Sequence, residues 1–172
     1  MPFPDKIKRR EVFQVTLVYV VVSWLSAPPV LAQRSLDVSV LEQAPTIDGE
    51  IGESEWVGAG IVDGPFVQFQ PDFGEMSPFR TVVHVGQTET ALYIAFEAYD
   101  PDPSRLTAAI TARDGRLDAD DSVSVALDSF GDDRTAYLFR TNALATQADG
   151  RIADNGRTVD AQWDAAWLSA AR

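Results

Sequence analysis

Over most of its length the chain alternates apolar and polar residues with period two, and the alternating stretches stop at turn residues. Leu36–Leu41 opens the series and Pro65–Phe69 follows a glycine-bearing loop. Thr81–Val85 and Ala91–Ala98 are separated by Gly86–Thr90, the pattern of a hairpin. Ser122–Asp128 sets Val123, Val125 and Leu127 on one face, with Ser122, Ser124 and Asp128 on the other. Thr135–Thr141 returns across Ser129–Arg134, placing Tyr137 and Phe139 toward a core. Helical signals are few: one short turn around Glu53–Trp56, and helix-favouring alanines in Asp164–Ala171 without sustained periodicity. Short strands at this spacing predict an all-β fold, an antiparallel, jelly-roll-like β-sandwich built as one domain.

The N-terminus follows a different rule. Lys6, Lys8, Arg9 and Arg10 form a positive n-region, Val12–Leu25 an apolar h-region, and Val30-Leu31-Ala32 a small-residue cleavage signal after Pro28 and Pro29. Residues 1–32 read as a signal peptide and residues 33–172 as the exported domain, destined for the periplasm, the outer membrane or secretion. The run is short of the roughly 20 apolar residues that a spanning helix needs. Any membrane link therefore passes through this segment or through a further C-terminal region. The chain ends at Leu168–Arg172 without a closing strand, which would leave a sheet edge unpaired. The sandwich accordingly reads as incomplete at its C-terminus.

Setting the signal aside changes the charge. The whole chain carries 14 Lys/Arg and 26 Asp/Glu; removing four and two leaves 10 and 24, or −14. That balance argues against nucleic acid or an anionic membrane surface as a partner. No cysteine is present, which removes disulfides, thiol nucleophiles and thiolate metal sites. The single histidine, His84, lies in a strand pattern, so a histidine-rich zinc site is excluded and a catalytic triad lacks its context.

Four segments in order carry a resemblance. They are Pro45-Thr-Ile-Asp-Gly-Glu-Ile-Gly-Glu-Ser-Glu-Trp56, Leu92-Tyr-Ile-Ala-Phe-Glu-Ala-Tyr-Asp-Pro101, Asp121-Ser-Val-Ser-Val-Ala-Leu-Asp128 and Thr135–Asn142. Together they resemble the family 9 carbohydrate-binding module, and more closely the family-9-like domain at the N-terminus of large exported bacterial proteins with a C-terminal outer-membrane barrel. The resemblance implies a β-sandwich that binds poly- or oligosaccharide, sits beside polysaccharide hydrolases and holds structural calcium, with no other cofactor required. It leaves any glycoside hydrolase activity to a C-terminal region and assigns no catalytic residue here. An alternative from another class is a periplasmic docking domain of a barrel protein that has lost sugar binding.

The motifs themselves are structural in character. Asp48-Gly49 suits a tight turn, Trp56 a core position, and Asp121 and Asp128 loop caps at the ends of a strand. In the sugar-binding modules one clamp tryptophan precedes the Asp-Ser-Val strand; here Arg113–Asp121 contains no aromatic. The second clamp position falls beyond Arg172. The aromatic candidates for sugar contact are therefore Phe73, Phe79, Trp163 and Trp167. Asp100, Asp102, Asp118 and Asp120 are the candidate calcium ligands, since hard cations take six to eight oxygens, although no EF-hand spacing is present.

Overall fold

The computed structural model describes residues 12–17, 36–64, 66–68 and 72–172. The basic n-region, the cleavage point at Ala32, and Phe69 lie outside these. Among the described residues there is no α-helix. The strands are β1 (Val12–Leu17), β2 (Gly60–Gly64), β3 (Thr81–Gln87), β4 (Leu92–Ala98), β5 (Ser122–Leu127), β6 (Ala136–Asn142), β7 (Gln147–Ala153), β8 (Thr158–Asp160) and β9 (Ser169–Ala171). They form two antiparallel sheets, ordered β2-β3-β4-β1-β9 and β5-β6-β7-β8. The fold is all-β, as the period-two pattern predicts.

The core between the sheets follows from register. Opposite residues in an antiparallel pair share a face. Val83 pairs with Phe96 and Val85 with Ile94 in the first sheet, and Val125 pairs with Phe139 and Leu127 with Tyr137 in the second. These side chains meet Leu92, Trp163 and Trp167 in one apolar cluster. A second cluster covers the outer face of the first sheet, where Leu41 and Trp56 pack on Tyr93 and Ala95. The segment 41–59 is therefore a lid on that sheet, and Trp56, 5 % exposed, is buried beneath it rather than between the sheets. Gly86 makes room for the lid: a Cβ there would fall 2.6 Å from the Leu41 side chain.

The lid is fastened by its own polar residues. Asp48 accepts from the Glu50 amide at 2.9 Å, and Gly49 takes φ +85°. Glu55 accepts from both the amide and the hydroxyl of Thr46, at 3.1 and 2.7 Å. Two strand expectations are corrected. Leu36–Leu41 makes only an isolated parallel bridge, Val40 to Gln87, because its apolar residues divide between the inner core (Leu36, Val38) and the lid (Leu41). Among the described residues around Pro65–Phe69 only the Val67–Met76 bridge is found, and the edge strand lies earlier, at Gly60–Gly64. The alanine-rich end forms strand β9, where pairing with β1 outweighs local helix propensity.

Candidate functional site

Between β2 and β3 the chain leaves the sheet in a hairpin-like excursion. Its arms are tied by Ser77 N–H donating to the Phe66 carbonyl (2.6 Å) and Gln68 N–H to the Glu75 carbonyl (2.7 Å), with Gly74 turning at φ +86°. This lifts apolar residues into solvent: Phe73 is 66 % exposed, Met76 52 %, Phe79 48 % and Phe66 41 %. Scattered exposed apolar residues are ordinary, but several on one short excursion make it the candidate contact surface.

A fixed polar base stands beneath it. Arg80 donates to both carboxylate oxygens of Asp63, at 2.9 and 2.6 Å, and its guanidinium lies 5.1 Å from the centre of the Tyr99 ring. The hydrogen bond from Arg80 holds the Asp63 carboxyl below its usual range. From Tyr99 the polar contacts continue inward. Its hydroxyl donates to Glu97 at 2.7 Å, and Glu97 meets His84 Nε2 at 2.9 Å. The other imidazole nitrogen, Nδ1, is buried without a partner, and the ring lies 5.8 Å from that of Trp56. His84 is thus a structural link between the sheet and its lid.

The remaining aromatic candidates sit elsewhere. Trp163 stacks on Tyr137 with ring centres 4.6 Å apart, and Trp167 is 7 % exposed, edge-on to Phe139. Both rings pack against the inter-sheet core. Of the four, Phe73 and Phe79 are the exposed ones, both on the excursion.

The acidic candidates are dispersed. Asp100 accepts from the Asp102 amide and Asp102 from Ser104, shaping the turn at Pro103–Arg105. Asp118 pairs with Arg116. Asp120 accepts from the Ala109 and Ile110 amides and the Asn142 side chain, and the Ile110 hydrogen bond leads in holding its carboxyl below the ordinary value. Asp100, Asp102, Asp118 and Asp120 therefore do not converge on one point. The two strand-end acids serve as loop caps: Asp121 accepts from the Thr107 amide at 2.7 Å, and Asp128 from the amides of Phe130, Gly131 and Asp133.

A different acidic group does converge. Carboxylate oxygens of Asp114, Asp149 and Asp164 lie within 4.8 Å of one another. Arg113 stands among them, 2.6 Å from Asp149, 3.5 Å from Asp114 and 3.6 Å from Asp164. Asp149 is fully buried and also accepts from the indole N–H of Trp167 at 2.7 Å. The one guanidinium pairs with all three carboxylates, and its evident work is to anchor the 161–167 segment against β7. Sequence reasoning missed Arg113 and Asp149 because neither belongs to a recognisable spacing.

A shallow depression of about 210 Å³ lies beside Thr88–Ala91. It is below the roughly 300–1,000 Å³ of pockets that enclose a small ligand. A scan against protein-family models, a search of curated proteins and a search of solved structures each find no match.

Proposed function

We propose that the chain is an exported glycan-binding β-sandwich module related to the family 9 carbohydrate-binding modules, with the aromatic excursion as its sugar-contacting surface. The observation that carries this reading is the exposure of Phe73 and Phe79 on one excursion above the fixed Asp63–Arg80 pair. Sugar rings present apolar C–H faces that stack on aromatic rings, while their hydroxyls need a few oriented polar groups. The excursion supplies the first requirement and its base the second. The ordered run of motifs from Pro45 to Asn142 supports the same reading. The acidic balance suits a neutral glycan better than an anionic one.

The test is calorimetry or affinity electrophoresis of the full chain against soluble plant and bacterial polysaccharides. Saturable binding is expected, weakened at least tenfold (about 1.4 kcal/mol) by Phe73→Ala or Phe79→Ala with melting temperature unchanged. No binding across the panel, or binding indifferent to both substitutions, overturns the proposal.

A further inference from the structure

The root of the aromatic excursion carries a positive and a negative group that cancel. Arg80 Nε and Nη2 donate to Asp63 Oδ1 and Oδ2 at 2.9 and 2.6 Å, so the carboxylate occupies one whole edge of the guanidinium. The two side chains are 56 % and 46 % exposed, which leaves the rest of each open to solvent.

The fold holds this pair in place. Asp63 lies on β2, and Arg80 directly precedes β3, where its carbonyl accepts from the Tyr99 amide at 3.0 Å. The guanidinium is 5.1 Å from the centre of the Tyr99 ring, and that ring is fixed by its hydroxyl donating to Glu97 at 2.7 Å. Phe79, the preceding residue, has its backbone tied to Ser77 Oγ through both amide and carbonyl, each at 3.2 Å. An exposed aromatic ring and a clasped ion pair therefore occupy consecutive positions at the foot of one arm. An arginine held by a carboxylate and backed by a ring presents its donors without an ordering cost at binding.

The groups left over define what the pair can hold. A guanidinium has five N–H groups; two are given to Asp63, so three remain, and each carboxylate oxygen keeps acceptor capacity. A donor edge beside an acceptor edge matches two neighbouring sugar hydroxyls, one accepting from Arg80 and the other donating to Asp63. A ligand carboxylate gains no net attraction there, because the Asp63 charge opposes what Arg80 offers. Without that charge, the same carboxylate would take the bidentate edge that Asp63 holds.

We propose that Asp63 is a specificity-determining residue of the excursion: by occupying the bidentate edge of Arg80 it selects neutral sugars with vicinal hydroxyls and turns away uronates. This rests on the glycan-binding reading of the excursion and names the sugar class it takes.

The experiment uses the full chain on an array of neutral plant and bacterial oligosaccharides, printed beside counterparts in which a uronic acid replaces a neutral sugar. The native chain should bind the neutral members at least tenfold more tightly. Asp63→Asn keeps the shape and an acceptor oxygen but removes the charge, and should narrow that preference at least tenfold by strengthening uronate binding. Glu89→Gln makes the same change in net charge in the turn between β3 and β4. That turn is roughly 20 Å away at the usual rise per residue of a strand, and the substitution should leave the preference unchanged. An unchanged preference in Asp63→Asn, loss of both ligand classes in it, an equal shift in Glu89→Gln, or a native chain that favours uronates overturns the assignment. In each of these cases binding that depends on Phe73 and Phe79 still upholds the glycan reading. No binding of the native chain to any member of the array overturns both.

Discussion

Asp149→Ala tests whether the buried corner of Arg113, Asp149 and Trp167 fastens the end of the domain. The carboxylate is fully buried and accepts from the Arg113 guanidinium at 2.6 Å, the Trp167 indole at 2.7 Å and the Ala165 amide at 3.3 Å. Truncation leaves the indole N–H unsatisfied in the core, at a cost of about 1–3 kcal/mol. Breaking a buried ion pair costs about 3–5 kcal/mol when the remaining charge stays desolvated. Arg113 is 41 % exposed, however, and recovers hydration, which moves the sum to the lower end. A loss of about 3 kcal/mol is expected, or roughly 10 °C in Tm for a domain of this size. Trp167→Phe removes the donor together with part of the buried ring system and should cost about 1–3 kcal/mol. Urea unfolding followed by far-ultraviolet circular dichroism avoids the change in tryptophan signal. If the corner is one unit, the double variant loses less than the sum of the singles by about 1 kcal/mol or more. A loss below about 1 kcal/mol for Asp149→Ala, or additivity within roughly 0.5 kcal/mol, refutes the reasoning.

Other outcomes follow from the same contacts. Trp56→Ala should destabilise by about 3–5 kcal/mol, whereas Trp56→Phe costs much less because its indole N–H has no partner to lose; thermal unfolding separates them. Gly49→Ala combines a left-handed backbone with the close approach to Ala171 and should cost more than about 1 kcal/mol, read as a lower urea midpoint. Asp120 is ionised more readily in the fold than in the unfolded chain, so its contribution is present above the ordinary carboxylate value of about 3.9 and lost as pH falls through the folded value. The stability difference between the native chain and Asp120→Asn should shrink in acid titrations below about pH 4. With Arg113 already paired to all three carboxylates of the one convergent acidic group among the described residues, calcium and chelator should move Tm by less than about 1 °C; a clear rise with calcium shows the ion displacing the guanidinium.

Period two and the turn residues make β3 to β6 legible in the sequence itself, because each has one strongly apolar face and one more polar face. The Asp48-Gly49 turn and the loop cap at Asp128 are equally readable, since those residue types satisfy backbone amides locally. The β7–β8 hairpin escapes the sequence reading, although Asn155-Gly156 marks its turn. In β7 the alternation points the wrong way. Asp149 pairs with Phe139 and so faces the core, while Ala148 and Ile152 take the opposite face. Only partners distant in sequence, Arg113 and Trp167, make that orientation stable, and no local pattern encodes them. Local alternation determined which segments extend and which of their faces seek burial. Tertiary structure decided which buried polar groups find partners, because these depend on segments far apart along the chain.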